Sequence, residues 1–200
     1  MHHDSLKHFS IGIDEALHIL VSVLTISLAF AIVWTGSTNF NANFLATTGL
    51  ILLTVGLGFI LHELAHKFVA IKYGAYARYQ AWTLGLLFSI IMAFAVGFVF
   101  AAPGAVYVYG NHITREQNGK ISAAGPLTNL ILGLVFLAIG FLIPGLRQIA
   151  VLGASVNFFL GAFNMIPIFP MDGQKVYQWN KTIWAALMIP LVVLAFVQVL

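Results

Sequence analysis

The 200-residue chain has no cysteine, and only 8% of its residues are charged. The first absence excludes disulfides, thiolate metal sites and a cysteine nucleophile, so any metal must be held by His, Asp or Glu. The second excludes an ordinary soluble domain, in which roughly 25% of residues are charged. The net charge of +3 comes from so few groups that it points to no acidic or nucleic-acid partner and serves mainly as a topology signal. Internal repeats and low-complexity linkers are also missing.

What is present is apolar sequence: 60% of residues are hydrophobic and the mean hydropathy is +0.97. A helical span needs about 20 apolar residues, so the composition predicts an all-α polytopic membrane protein with about five to six membrane segments. The clearest candidates are residues 16–34, 44–71, 121–143, 148–166 and 182–200. MHHDSLKHFSIGID is too polar, and the run after it too long, for a cleaved signal peptide, so the first span is expected to be retained. Residues 1–200 read as one membrane-embedded core without a PDZ-like or appended regulatory domain. The last residues, LVVLAFVQVL, lack the basic closure of a normal span, which leaves two readings, a catalytic core cut at Leu200 or a native end there.

Residues 81–102 are apolar but end in Pro103-Gly104 and the strand-like AVYVYG. If they crossed the membrane once, Arg115, Lys120, Lys175 and Lys181 would lie opposite Lys7, Lys72 and Arg78, against the usual charge bias. Two full helices would need about 40 residues. A re-entrant helix/β-strand element at residues 81–109 fits the length, because a strand rises about 3.3 Å per residue. It leaves only Arg147 on the far side. Irregular backbone at that depth must be covered by protein or line a cavity.

One span carries FILHELAHKFVA, residues 59–70, with ionisable groups where each costs several kcal/mol. His62 and His66 stand at i and i+4, on one helix face, and Glu63 adjoins the first, a pattern that reads as two zinc ligands and a general base. A catalytic zinc takes three protein ligands. The other acids are Asp4, Asp14, Glu15, Glu116 and Asp172, and only Asp172 sits at a break between membrane segments, in NMIPIFPMDG.

HELAH on a membrane helix, N-x-x-P-x-x-P-x-D-G about a hundred residues later, and AGPLTN opening a span between them together resemble the site-2 protease family of intramembrane zinc metalloproteases. The similarity runs from Ala16 to about Trp179. It implies His62, His66 and Asp172 as ligands of one catalytic Zn2+, Glu63 as the base, and Asn164 as a contact to substrate or developing oxyanion. It further implies hydrolysis of peptide bonds within or near transmembrane segments of substrate proteins, as in regulated intramembrane proteolysis. The setting would be a lipid bilayer, the cell membrane, with the site toward the cytoplasmic side. The apolar stretch at residues 82–100 is longer than a minimal family core would have.

The rival readings are a membrane metal-ion transporter, for which internal repeats would argue, and an inactive scaffold homologue. Several single residues carry expectations of their own. Lys67 should snorkel to the interface, His18 should be an interfacial histidine, His2, His3 and His8 a tail, and His112 a loop residue. Gly125-Pro126 should permit close packing or start a helix, with Asn129 as a polar contact in the cavity. Ala105–Tyr109 could offer an edge on which an extended substrate pairs.

Overall fold

A computed structural model describes residues 9–36, 41–110 and 113–197; the expectations for His2, His3, His8, His112 and the terminus at Leu200 lie outside them. Eight α-helices and two strands follow in the order α1 (Ile13–Thr35), α2 (Ala42–Ile51), α3 (Leu57–Lys72), β1 (Tyr76–Ala81), α4 (Thr83–Val96), β2 (Gly104–Tyr109), α5 (Arg115–Leu142), α6 (Arg147–Asn164), α7 (Asp172–Trp179) and α8 (Lys181–Phe196). A π-helical turn, Leu52–Gly56, joins α2 to α3, so that Ala42–Lys72 is one continuous rod.

Among the described residues four segments are long and apolar enough to cross a membrane: Ile13–Thr35, Ala42–Lys72, Arg115–Leu142 and Pro144–Asn164. The chain is an integral membrane protein. α4 and α8 are apolar but have 14 and 16 residues, about 21–24 Å at 1.5 Å per residue, short of a roughly 30 Å hydrocarbon core. Against the expected five to six segments, the described residues thus hold four candidate spans and two short apolar helices.

The segment expected to be re-entrant folds back on itself. β1 pairs antiparallel with β2, and Ala81 stands opposite Gly104, so the chain between them ends where it began. α4 packs along α1, with Ala93 and Ile90 against the cluster of Ile26, Ala29 and Phe30. Gly97, at φ 69°, supplies the left-handed turn that reverses the chain. The extended return is pinned by Ser89 Oγ on the Phe100 carbonyl at 2.5 Å and by Phe98 and Phe100 packing on Phe159 and Phe163 of α6.

Other expectations need correction. The fold is not purely helical in its frame: β1 has no counterpart in the expected segments, because YARYQA becomes a strand only by pairing with a distant partner, Tyr76 with Tyr109 through Ala81 with Gly104. α5 begins at Arg115 behind a Thr114/Gln117 capping box, so Pro126 lies inside the helix and does not start it. Lys67 does not snorkel. It is buried, with Nζ 2.6 Å from Glu15 Oε2 and 2.5 Å from the Ser10 carbonyl. His18 is exposed and accepts the Ala81 N–H at 3.0 Å.

Candidate active site

α3 carries His62, Glu63 and His66, all buried. α5 lies against them so closely that a Cβ on Gly125 would meet both His62 Nε2 and His66 Nε2 at 2.5 Å. Only glycine fits there, and this settles Gly125-Pro126 as a close-packing element. Asp172 arrives from the other direction. The chain leaves α6 at Asn164, runs irregularly through the two prolines, and enters α7 at Asp172. Gly173 permits this re-entry, since a Cβ there would stand 2.1 Å from the Met165 carbonyl oxygen.

Asp172 Oδ2 is 3.3 Å from His62 Nε2 and 3.0 Å from His66 Nε2, and the three residues can bring one ligand atom each within 4.8 Å of one another. Bonds of 2.0–2.2 Å at tetrahedral angles place zinc ligand atoms about 3.4 Å apart, so the spacing fits a single ion. The hydrogen bonding agrees. His66 Nδ1 is 2.7 Å from the Ile121 carbonyl, an acceptor only. His62 Nδ1 is 2.5 Å from Asn129 Oδ1.

The orientation of Asn129 is fixed by its neighbours: its Nδ2 donates to Asn157 Oδ1 at 3.0 Å and to the Gly58 carbonyl at 3.3 Å. Asn157 is fixed in turn by donating to the Gly153 carbonyl at 2.8 Å. Both imidazoles therefore carry a proton on Nδ1, which leaves Nε2 of each, facing the Asp172 carboxylate, as the atom able to bind a metal.

Glu63 lies beside this cluster without joining it. Its Oε2 is one of two buried side-chain oxygens without a hydrogen-bond partner among the described residues. A cavity of about 580 Å³ opens in front, lined by His62, Glu63, His66, Asn164, Asp172 and the inner edge of β2. Asn164 is half-buried and spends one amide hydrogen on the Leu160 carbonyl at 2.9 Å.

The structure brings His62, Glu63, His66, Asn164 and Asp172 to one cavity. Asn129, expected as a polar contact in that cavity, is instead wholly buried behind His62 and orients its imidazole; the structure adds the Ile121 carbonyl as the orienter of His66, and Lys175, whose Nζ lies 3.8 Å from Asp172 Oδ1 at the cavity wall. Asn129 had a visible signal, its place in AGPLTN. The Ile121 carbonyl had none, because a backbone contact has no residue signature.

Residues 50–149 match the model of Peptidase family M50. Over 182 residues the chain is 43% identical to the provisionally named zinc metalloprotease MJ0611 of Methanocaldococcus jannaschii, covering 89% of this chain and 91% of that one. The chain belongs to peptidase family M50. Zinc metalloprotease MJ0392 of the same organism is 31% identical over 177 residues, which are 86% of this chain but 44% of that longer relative. YwhC of Bacillus subtilis, also provisionally named a zinc metalloprotease, is 28% identical over 147 residues, covering 64% of this chain and 67% of the relative. No solved structure matches the chain. For an M50 peptidase, zinc is the cation that the His62, His66 and Asp172 cluster suits, and a transporter reading loses its ground.

Proposed function

We propose that the chain is an intramembrane zinc metalloprotease that hydrolyses peptide bonds within or near transmembrane segments of other membrane proteins. The observation that carries this reading is Glu63: a buried carboxylate oxygen with no partner among the described residues, at a cavity shared with three convergent ligand atoms on a helix long and apolar enough to span a membrane. A purely structural cluster would have satisfied that oxygen.

His62, His66 and Asp172 would hold one zinc, which would supply Lewis-acid polarisation of the scissile carbonyl and of water. Glu63 takes the proton from the attacking water and delivers it to the leaving nitrogen as the C–N bond breaks. Asn164, with an amide hydrogen to spare, donates to the oxygen that gains charge. The substrate must be unwound, because a helix hides its carbonyls, and the free edge of β2 can pair with an extended chain. The bias of basic residues toward this end of the bundle supports a site on the cytoplasmic side of the cell membrane.

The test is Glu63→Ala with a transmembrane reporter. Zinc content should stay at the parental level while cleavage disappears; cleavage that persists would overturn the mechanism.

A further inference from the structure

The sheet has two strands and hence two edges, yet among the described residues side chains occupy only one of them. On β1, the Tyr79 N–H donates to Glu15 Oε1 at 2.9 Å and the Ala81 N–H donates to His18 Nδ1 at 3.0 Å. These N–H groups point away from β2. By antiparallel alternation their partners Val106 and Gly104 turn their backbone groups the other way. That other side is the cavity, which both residues line. The side chains that occupy the outer edge come from one stripe of α1. Glu15, His18, Ile19 and Ser22 follow the i, i+3, i+4, i+7 spacing of a helix face. Ile19 packs with Tyr79, and Ser22 Oγ accepts the Tyr79 hydroxyl at 2.8 Å.

Glu15 also reaches the catalytic helix. Its two oxygens take Lys67 Nζ at 2.8 and 2.6 Å, and both side chains are almost fully buried, at 4% and 3% exposure. Lys67 follows His66 directly on α3. One carboxylate therefore ties α1, the helix of His62 and His66, and β1 together.

We propose that Glu15 and His18 act as a surrogate third strand: they close the outer edge of β1 and fix the sheet to α3, so that β2 is the only edge offered to an extended substrate and lies at a set distance from Glu63. They are positioning residues, acting through β1 and β2. The proposal rests on the reading that substrate pairs along β2.

The absence of cysteine makes disulfide trapping a direct test. In an Ala105→Cys, Glu63→Ala background, a substrate with a single cysteine at its cleavage region should cross-link. In the catalytically competent chain, Glu15→Ala/Lys67→Met removes both buried charges together, and KM should rise about tenfold, the effect of losing one hydrogen bond to a charged group. Zinc content and kcat should be retained, and the cross-link in the trapping background should fall in parallel.

No cross-link in the trapping background overturns pairing along β2 and this proposal with it. A cross-link that survives the double substitution undiminished, with KM unchanged, overturns the positioning role alone. If the double variant loses its zinc, His18→Ala decides the matter: its exposed side chain can be removed without leaving a buried charge. Loss of the Ala81 contact should raise KM about threefold, whereas an unchanged KM overturns the surrogate strand.

Discussion

Two buried ionic clusters hang on the same helix, one residue apart. Around Lys67 everything is closed. Its ammonium meets both oxygens of Glu15 and the Ser10 carbonyl, and Glu15 takes one more hydrogen from the Tyr79 backbone. Around His62 and His66 the far sides are closed in the same way, on Asn129 and Ile121, but the near sides are left open. Two imidazole Nε2 atoms converge on one carboxylate oxygen, and Glu63 Oε2 has no partner among the described residues. Burial alone does not mark the functional cluster, since Lys67 and His66 are about equally buried. The difference lies in unspent hydrogen-bonding capacity directed at a cavity.

If that distinction is right, the two clusters should fail in different ways. The largest effect belongs to the open one. Glu63→Ala should lower kcat by about 10⁴, the upper range for a group that serves as both base and acid, while thermal stability in detergent stays at the parental value. Lys67→Ala should do the opposite. Stranding the Glu15 carboxylate in the bundle should cost about 3–5 kcal/mol of stability, read as early thermal unfolding, and it should destabilise more than the Glu15→Ala/Lys67→Met pair. Equal loss of stability in Glu63→Ala and Lys67→Ala would erase the contrast.

The open cluster was far more legible in the sequence than the closed one. HELAH states its own geometry, because i and i+4 always share a helix face, and Asp172 stands out as the only acid at a membrane break. Glu15 and Lys67 are 52 positions apart, and no local spacing announces that they meet. A lysine near a helix end is expected to reach water, and only the tertiary packing of α1 against β1 reverses that expectation. The strands divide in the same way. β2 shows in GAVYVYG beside a Pro-Gly break, whereas β1 was obscured by Arg78, which read as a loop charge and in fact faces Asp14 at 3.4 Å. The return of residues 81–109 was legible because charge bias and the need for HELAH to meet MDG constrained it independently.

Asn164 sharpens the comparison from inside the cavity. One of its amide hydrogens is committed to Leu160, so its contribution should come from the other and should appear only as charge develops on the substrate. Asn164→Ala should therefore lower kcat by about 10²-fold with little change in KM. An effect confined to KM would make it a ground-state contact.

The smallest effect tests where the open cluster ends and its closed support begins. Asn129 is wholly buried and holds His62 from behind, and it is itself held by Asn157 and the Gly58 carbonyl. Removing it leaves all three proposed ligand side chains in place but frees the His62 ring to turn and to exchange its proton between nitrogens. Asn129→Ala should weaken zinc binding by about 10–100-fold, as loss of such an orienting partner does elsewhere, measured by competition with a chelator of known affinity. Cleavage should recover when zinc is supplied in excess, because Glu63 and Asn164 are untouched. Zinc affinity that does not change would mean that the ring is held by α5 packing at Gly125 alone, and the polar chain from Gly153 through Asn157 and Asn129 would then belong with the Glu15–Lys67 pair, as structure.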